Sequence, residues 1–174
     1  MEDQGVIINL ISKGAAEVKI PLEAAKVSTT IRNALNIDDV DEEQDLDGEN
    51  VLLTSIEEKV LHKVVEFCKY YHKEKMTPIE NPIRSVEMTD LVQPWYVDFC
   101  RLAEREMLQK LLTAANFLDI QPLLELACLA MALLLRGKSK ANIRQMFNLT
   151  PHVSEEERKE IEEENRMQAS ALSK

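Results

Sequence analysis

The stretch AANFLDIQPLLELACLAMALLLRGK, residues 114–138, carries the pattern that decides how this chain folds. Between Leu123 and Leu135 it has one charged residue, Glu125, and every other residue is apolar. Placed at about 100° per residue, this segment forms a helix with two apolar stripes. The first stripe comprises Leu123, Ala127, Ala130 and Leu134, with Leu126 and Leu133 at its edge. The second stripe comprises Leu124, Cys128, Met131 and Leu135.

The two stripes predict different roles. The first, with its small alanines, suits close packing against a neighbouring helix of the same fold. The second is larger, and leaving its side chains exposed would forgo about 5 kcal/mol of burial. Either the terminal helices of the chain cover it, or an amphipathic helix of another protein docks against it. The terminal segment offers few apolar residues for the first alternative, namely Ile143, Met146, Phe147 and Leu149.

The composition narrows the class of protein. With 174 residues, of which 45% are hydrophobic and 30% charged, the chain can form one domain, or one domain with an extension. The net charge of -10 argues against binding nucleic acid or an anionic membrane, both of which favour a basic face. Three cysteines among apolar neighbours are typical of reduced thiols in a cytoplasmic or nuclear protein. The acidic start, MEDQG, does not resemble a secretory signal.

Strand signals come first along the chain and helix signals later, so the predicted fold class is α+β. Residues 6–20 read as a β-hairpin, and Val51–Leu53 as a third short strand. Between them, residues 38–50 form an insertion with eight acidic and no basic residues, which we expect to be solvated. A capping box at residues 55–58 opens an amphipathic helix that ends near Tyr71.

The second half is predicted to be helical after an irregular linker. Residues 73–94 hold three prolines and show no period, and Trp95 and Phe99 follow as hydrophobic anchors. Gly137 is placed where a long apolar helix ends. A further capping box, which begins at Ser154, opens a polar helix that runs to about Met167.

The sequence contains no arrangement that indicates catalysis or a cofactor. It has no Gly-rich phosphate loop and no nucleophile elbow. A calcium loop aligned on Gly48 fails because its twelfth position is Thr54 instead of the required Glu. Zinc is excluded by the lack of a close cysteine pair. We therefore predict a binding protein with no metal, no cofactor and no enzyme activity.

Several motifs together resemble one protein family. AANFLDI at 114–120, GKS at 137–139, IRQMFN at 143–148 and SEEERKEIEEEN at 154–165 resemble the adaptor subunit of SCF cullin–RING ubiquitin ligases, the S-phase-kinase-associated protein family. The likeness extends over nearly the whole chain. It implies a BTB/POZ-like domain over residues 1–135, a small three-stranded sheet packed with helices. It also implies a C-terminal helical extension, residues 136–174, that completes a surface for F-box proteins.

The resemblance implies a non-catalytic bridge between an F-box substrate receptor and a cullin scaffold, acting in the cytoplasm and nucleus. Asn116 and Phe117 match the cullin-facing motif, with Ile120 beside them. The positions that match the F-box-binding surface are Leu124, Cys128, Met131, Leu135, Ile143, Phe147, Leu149 and Met167. Met167 stands where the family usually has tryptophan, which suggests altered receptor choice. Lys140 stands where the family often has proline, so the prolyl hydroxylation known there in some lineages is excluded.

Two further expectations follow. An uncovered apolar stripe favours association, so the chain without its receptor is expected to aggregate or to form a homodimer. The alternative function is a BTB-type scaffold or an elongin-like adaptor that acts through self-association or another receptor class. The helices after Gly137 speak against the elongin-like version, whose members end near the close of the BTB core.

Overall fold

The computed structural model describes residues 5–37, 46–80, 82–83, 85–101, 103, 105–147, 149 and 159. The chain divides into two compact units, Met1–Leu134 and Leu135–Lys174. The first unit contains a three-stranded sheet with helices, so the predicted α+β class is confirmed. The functional division at residue 135 stays a prediction.

The sheet has three strands, β1 (Ile7–Ile11), β2 (Glu17–Pro21) and β3 (Asn50–Leu52), in the order β2-β1-β3. β1 and β2 form the predicted antiparallel hairpin, whereas β3 pairs with β1 in parallel. Side chains alternate across the sheet, and Leu10 and Val18 lie in the core on adjacent strands. The predicted third strand is confirmed, shifted by one residue towards the N-terminus.

The end of the acidic insertion departs from its prediction as a solvated segment. Leu46 is buried, and the Asp47 carboxylate accepts a hydrogen bond from the Ile7 backbone N–H at 2.9 Å. The Gly48 N–H in turn donates to the Ile7 carbonyl at 2.8 Å. Residues 46–50 are therefore part of the fold, because they pair with β1. The rest of the insertion, 38–45, lies outside the described residues.

Seven α-helices lie within the described residues. They are α1 (Leu22–Ala25), α2 (Thr29–Ala34), α3 (Glu58–Lys73), α4 (Pro94–Arg101), α5 (Arg105–Phe117), α6 (Gln121–Leu135) and α7 (Lys140–Met146). The core of the first unit is formed by the three strands and the apolar faces of α1 to α6. The helices among the described residues include none long and apolar enough to cross a membrane.

The start of α3 corrects one prediction. The capping box at 55–58 is not formed, since the helix begins at Glu58 and its N-cap residue, Glu57, makes no capping side-chain bond. The preceding turn instead carries Ile56 into the core, where it is 4% exposed. The Ile56 carbonyl accepts a hydrogen bond from the Lys13 N–H at 2.8 Å, which ties this turn to the hairpin. Burial of Ile56 therefore sets the entry into α3.

Aromatic side chains fix the irregular linker. Trp95 stacks on Tyr70 with ring centroids 3.9 Å apart and on Phe99 at 5.2 Å, and Phe99 contacts Phe67, so the two residues anchor α4 on the preceding helix α3. The Tyr96 hydroxyl donates to the Glu74 carbonyl at 2.5 Å. Among its described residues the linker is irregular, as predicted, apart from a short 3-10 helix at Met88–Asp90.

The end of α6 agrees with its prediction from the sequence. Gly137 adopts φ of 72°, the left-handed conformation that favours glycine after a helix. Ser139 caps α7, its hydroxyl accepting from the Asn142 N–H at 3.2 Å. The predicted capping box at Ser154 and the end of its helix at Met167 lie outside the described residues.

Candidate partner-binding surfaces

Helix α6 places its first stripe in the core. Leu123, Leu126 and Ala127 are each at most 1% exposed, which confirms the prediction for the first half of the helix. From Ala130 onward the stripe is only half-buried. Leu129, which neither predicted stripe included, is also buried. On a helical projection it lies beside Leu126, so a wider apolar face would have included it.

The second stripe of α6 remains accessible to solvent. None of its four residues is buried: Leu124, Met131 and Leu135 are half-buried and Cys128 is exposed. Leu124 also packs against the core of the first unit, so part of its surface serves the fold. The first turns of α6 therefore have one face that stabilises the domain and a second, apolar face that remains accessible. This is the geometry that an incoming amphipathic helix requires.

Three further predicted receptor-binding residues lie in the second unit. Ile143 and Phe147 are four positions apart, at α7 and its C-cap, and both are half-buried. Leu149 is 56% exposed, one of the most exposed large apolar side chains among the described residues. Met167 lies outside the described residues.

The predicted cullin-facing residues lie at the end of α5. Asn116 and Phe117 are both exposed, and 49% of the Phe117 side chain is open to solvent. The start of α2 holds the backbone after them, because the Thr30 hydroxyl donates to the Phe117 carbonyl at 3.0 Å. The Ser28 hydroxyl likewise donates to the Leu118 carbonyl at 2.5 Å. Asp119, at φ of 49°, completes the turn into α6.

Ile120 does not lie on the surface with the other predicted cullin-facing residues. Its side chain is 0% exposed and belongs to the core, as does that of Leu118. The left-handed conformation of Asp119 turns the chain inward, and the Ile120 N–H donates to the Ala115 carbonyl at 2.9 Å. Ile120 therefore stabilises the turn between the two helices and has no surface to offer a partner.

Two of the three cysteine thiols are shielded from solvent. Burial raises the pKa of the Cys68 and Cys100 thiols to about 12, which removes them as nucleophiles at neutral pH. Among the described residues no three His, Cys, Asp or Glu side chains converge to hold a metal ion. What the described part of the chain does present is apolar surface, on α6 and at the end of α5.

Comparison with protein-family models gives two matches. Residues 6–73 match the tetramerisation domain of the Skp1 family, and residues 121–167 match its dimerisation domain. The first match covers the sheet and α3, which confirms the predicted BTB/POZ-like fold. The second begins at the first residue of α6 and therefore includes both of its stripes.

Curated proteins of similar sequence extend the match to the full chain. The S-phase kinase-associated protein 1 homolog of Tetrahymena thermophila is 31% identical over 173 residues, 99% of this chain and 100% of that protein. The E3 ubiquitin ligase complex SCF subunit sconC of Arthroderma otae is 32% identical over 158 residues, 91% of this chain and 92% of that protein. An SCF ubiquitin ligase complex protein of Dictyostelium discoideum, SKP1a, is 31% identical over 159 residues, 91% of this chain and 93% of that protein.

Proposed function

The chain belongs to the Skp1 family, and we propose that it is a non-catalytic adaptor that bridges an F-box substrate receptor and a cullin in an SCF ubiquitin ligase. The similar proteins from Arthroderma and Dictyostelium are named as subunits of SCF ubiquitin ligase complexes. The division of α6 into a buried and an accessible apolar face carries the proposal, because a bridging protein must fold and still leave apolar surface for its receptor.

We propose that the receptor docks on the second stripe of α6. Cys128 is exposed and Met131 is half-buried, and Met suits a surface that accepts several receptors because its side chain is flexible and polarizable. Leu124 and Leu135 complete the stripe. We propose that the receptor also contacts Ile143, Phe147, Leu149 and Met167 of the second unit.

We propose that the cullin contacts Asn116 and Phe117. About half of Phe117 is exposed, and burying it on a partner would contribute to the binding free energy. Aromatic side chains are enriched in protein interfaces and often dominate their affinity. The hydrogen bonds from α2 to the following carbonyls hold the backbone here, so little ordering is needed on binding. Ile120 is not included in this surface.

Reconstitution tests the bridge directly. The purified chain, an F-box fragment and a full-length cullin are mixed in pairs and together, and complex masses are measured by size-exclusion chromatography with light scattering. We expect the chain to bind each partner alone and all three to co-elute, whereas the F-box fragment and the cullin do not associate without it. Failure of the chain to join the two would refute the adaptor role.

A single substitution separates the two surfaces. Phe117→Asp places a charge in an apolar contact while leaving the Phe117 carbonyl bonded to Thr30. We expect at least about tenfold weaker cullin binding with unchanged affinity for the F-box fragment. Equal loss of both affinities would mean that the substitution damages the fold, and unchanged cullin affinity would show that the surface is elsewhere.

A further inference from the structure

Thr77 lies in the linker after α3 and belongs to neither proposed partner surface. Its side chain is exposed, and Pro78 follows it directly. The preceding residue, Met76, is only 8% exposed and belongs to the core of the first unit. Residues 75–80 form neither helix nor strand. The buried Met76 therefore anchors an irregular segment that presents the Thr77 hydroxyl to solvent.

The side chain of Gln93, which immediately precedes α4, fixes this segment on one side of the hydroxyl. Its Nε2 donates to the Lys75 carbonyl at 2.9 Å, and its Oε1 accepts from the Thr77 N–H at 3.1 Å. The two bonds bracket Met76. The described residues contribute no hydrogen bond to residues 78–80. The backbone is thus held up to Thr77 and is open to an enzyme after it.

A hydroxyl directly before proline is the acceptor that proline-directed Ser/Thr kinases require. Proline has no backbone N–H, so it suits an enzyme cleft that leaves this position unbonded. Among the exposed Ser and Thr residues that the structure describes, Thr77 alone is followed by proline. The sequence holds one more such pair, Thr150-Pro151, which lies outside the described residues. Within the described part of the chain, this chemistry therefore points to Thr77.

A phosphate on Thr77 would have a cation on its own side of the segment. Exposure alternates from Lys75 through the buried Met76 to Thr77, as in an extended chain, so the Lys75 and Thr77 side chains lie on the same side. Their Cα atoms are at most about 7 Å apart, within the combined reach of the two side chains. The Lys75 ammonium lies 4.2 Å from the centroid of the Tyr71 ring, and no carboxylate among the described residues pairs with it. A phosphate oxygen would offer it a charge-assisted hydrogen bond.

We propose that a proline-directed Ser/Thr kinase phosphorylates Thr77, and that the phosphate pairs with Lys75 and restrains the linker after α3. In the transfer, the Thr77 Oγ1 attacks the γ-phosphorus of ATP, and its proton passes to the catalytic aspartate of the kinase. The bond between the γ-phosphorus and the β–γ bridging oxygen breaks, and ADP leaves. The phosphate brings a charge of about −1.5 to −2 at neutral pH. The inference is independent of the adaptor function, because Thr77 belongs to neither surface on which that function depends.

Tryptic digestion isolates the proposed site. Trypsin cleaves after Lys75 and Arg84, and the peptide of residues 76–84 contains a single hydroxyl, that of Thr77. The folded full chain and a synthetic peptide of residues 71–84 are each incubated with ATP and an active mitogen-activated protein kinase, and mass spectrometry quantifies the phosphate. Thr77→Ser keeps an acceptor before proline, and Pro78→Ala removes the proline. Thr89→Val is the control, since Thr89 is exposed but is followed by aspartate.

We expect the peptide of residues 76–84 to carry one phosphoryl group in the wild-type chain and in the Thr77→Ser and Thr89→Val variants. Pro78→Ala should lower the initial rate at least about tenfold. Phosphate on the synthetic peptide but not on the folded chain would overturn the inference, because the fold would then hide the hydroxyl. Phosphate on Thr150 alone would overturn it as well.

Thermal unfolding of the phosphorylated and unmodified chains tests the pairing with Lys75. The phosphorylated chain should unfold at a midpoint about 2–4 °C higher, because a new ion pair restrains the linker. Lys75→Gln should abolish this difference, whereas Lys69→Gln, at an exposed lysine of α3, should preserve it. An unchanged midpoint in the wild-type chain, or a rise that persists in Lys75→Gln, would overturn the pairing.

Discussion

Cysteine alkylation distinguishes the accessible stripe of α6 from the core. Cys68 is buried, Cys100 is half-buried and Cys128 is exposed on the second stripe. Burial raises the pKa of Cys68 and of Cys100 from 9.0 to about 12. Because the thiolate is the reactive form, a rise of about three units lowers the thiolate fraction at neutral pH about a thousandfold. We expect iodoacetamide to add one group quickly, at Cys128, as measured by intact and peptide mass spectrometry.

Receptor binding should then protect Cys128. With an F-box fragment at about 100 times its Kd, only about 1% of the chain remains unbound, so alkylation should slow by up to about a hundredfold. A full-length cullin, which is expected on a different surface, should leave the rate unchanged, and Cys128→Ser should remove the fast adduct. Undiminished labelling with the receptor bound would contradict the placement of the receptor on this stripe. Fast labelling of Cys68 would contradict the burial on which the calculation depends.

Three substitutions, two of them with a matched control variant, test other parts of the structure. Met131→Glu should weaken F-box binding at least about tenfold, measured by calorimetry, whereas Ala132→Glu, on the neighbouring exposed position, should change it little. Ser28→Ala removes the α2 cap and the hydrogen bond to the buried Leu118 carbonyl, so urea unfolding should show a loss of about 2–3 kcal/mol. Ser139→Ala, which removes only an exposed cap, should cost about 1 kcal/mol or less. The buried Ser12 hydroxyl has no hydrogen-bond partner among the described residues. Ser12→Ala should therefore leave the free energy of unfolding unchanged or raise it by about 1 kcal/mol. A loss above about 1 kcal/mol would show that this hydroxyl is hydrogen-bonded.

The elements that the sequence predicted correctly are those whose burial follows a single period. In the hairpin, alternate residues such as Leu10 and Val18 face the core, and the alternation is visible in the sequence. In α6, the angular separation of Leu123 and Ala127 from Cys128 predicted which side is buried. Such patterns are local, so the sequence alone is enough to predict which side chains are buried.

The predictions that failed depend on contacts distant in sequence. Ser55 has the spacing of a capping residue, but the burial of Ile56 and its bond to Lys13 decide where α3 begins. Leu46 lies within an acidic run, yet Asp47 and Gly48 pair with Ile7, about forty residues earlier, and bring it into the core. The hydrophobic periodicity within one element cannot predict these contacts, because the partner residues belong to another element.

The misplacement of Ile120 bears on how an adaptor of this kind works. The proposed cullin contact ends at Phe117 and the proposed receptor stripe begins at Leu124, so the connection between them is one short turn. Leu118 and Ile120 fix this turn by burial, and Ser28 and Thr30 fix it by hydrogen bonds. A bridging chain must hold its two partners at a defined mutual orientation, and a flexible connection here would lose that orientation without weakening either contact. Burial of Ile120, next to the proposed cullin contact, therefore serves the bridge better than exposure would, since it ties the end of α5 to the start of α6.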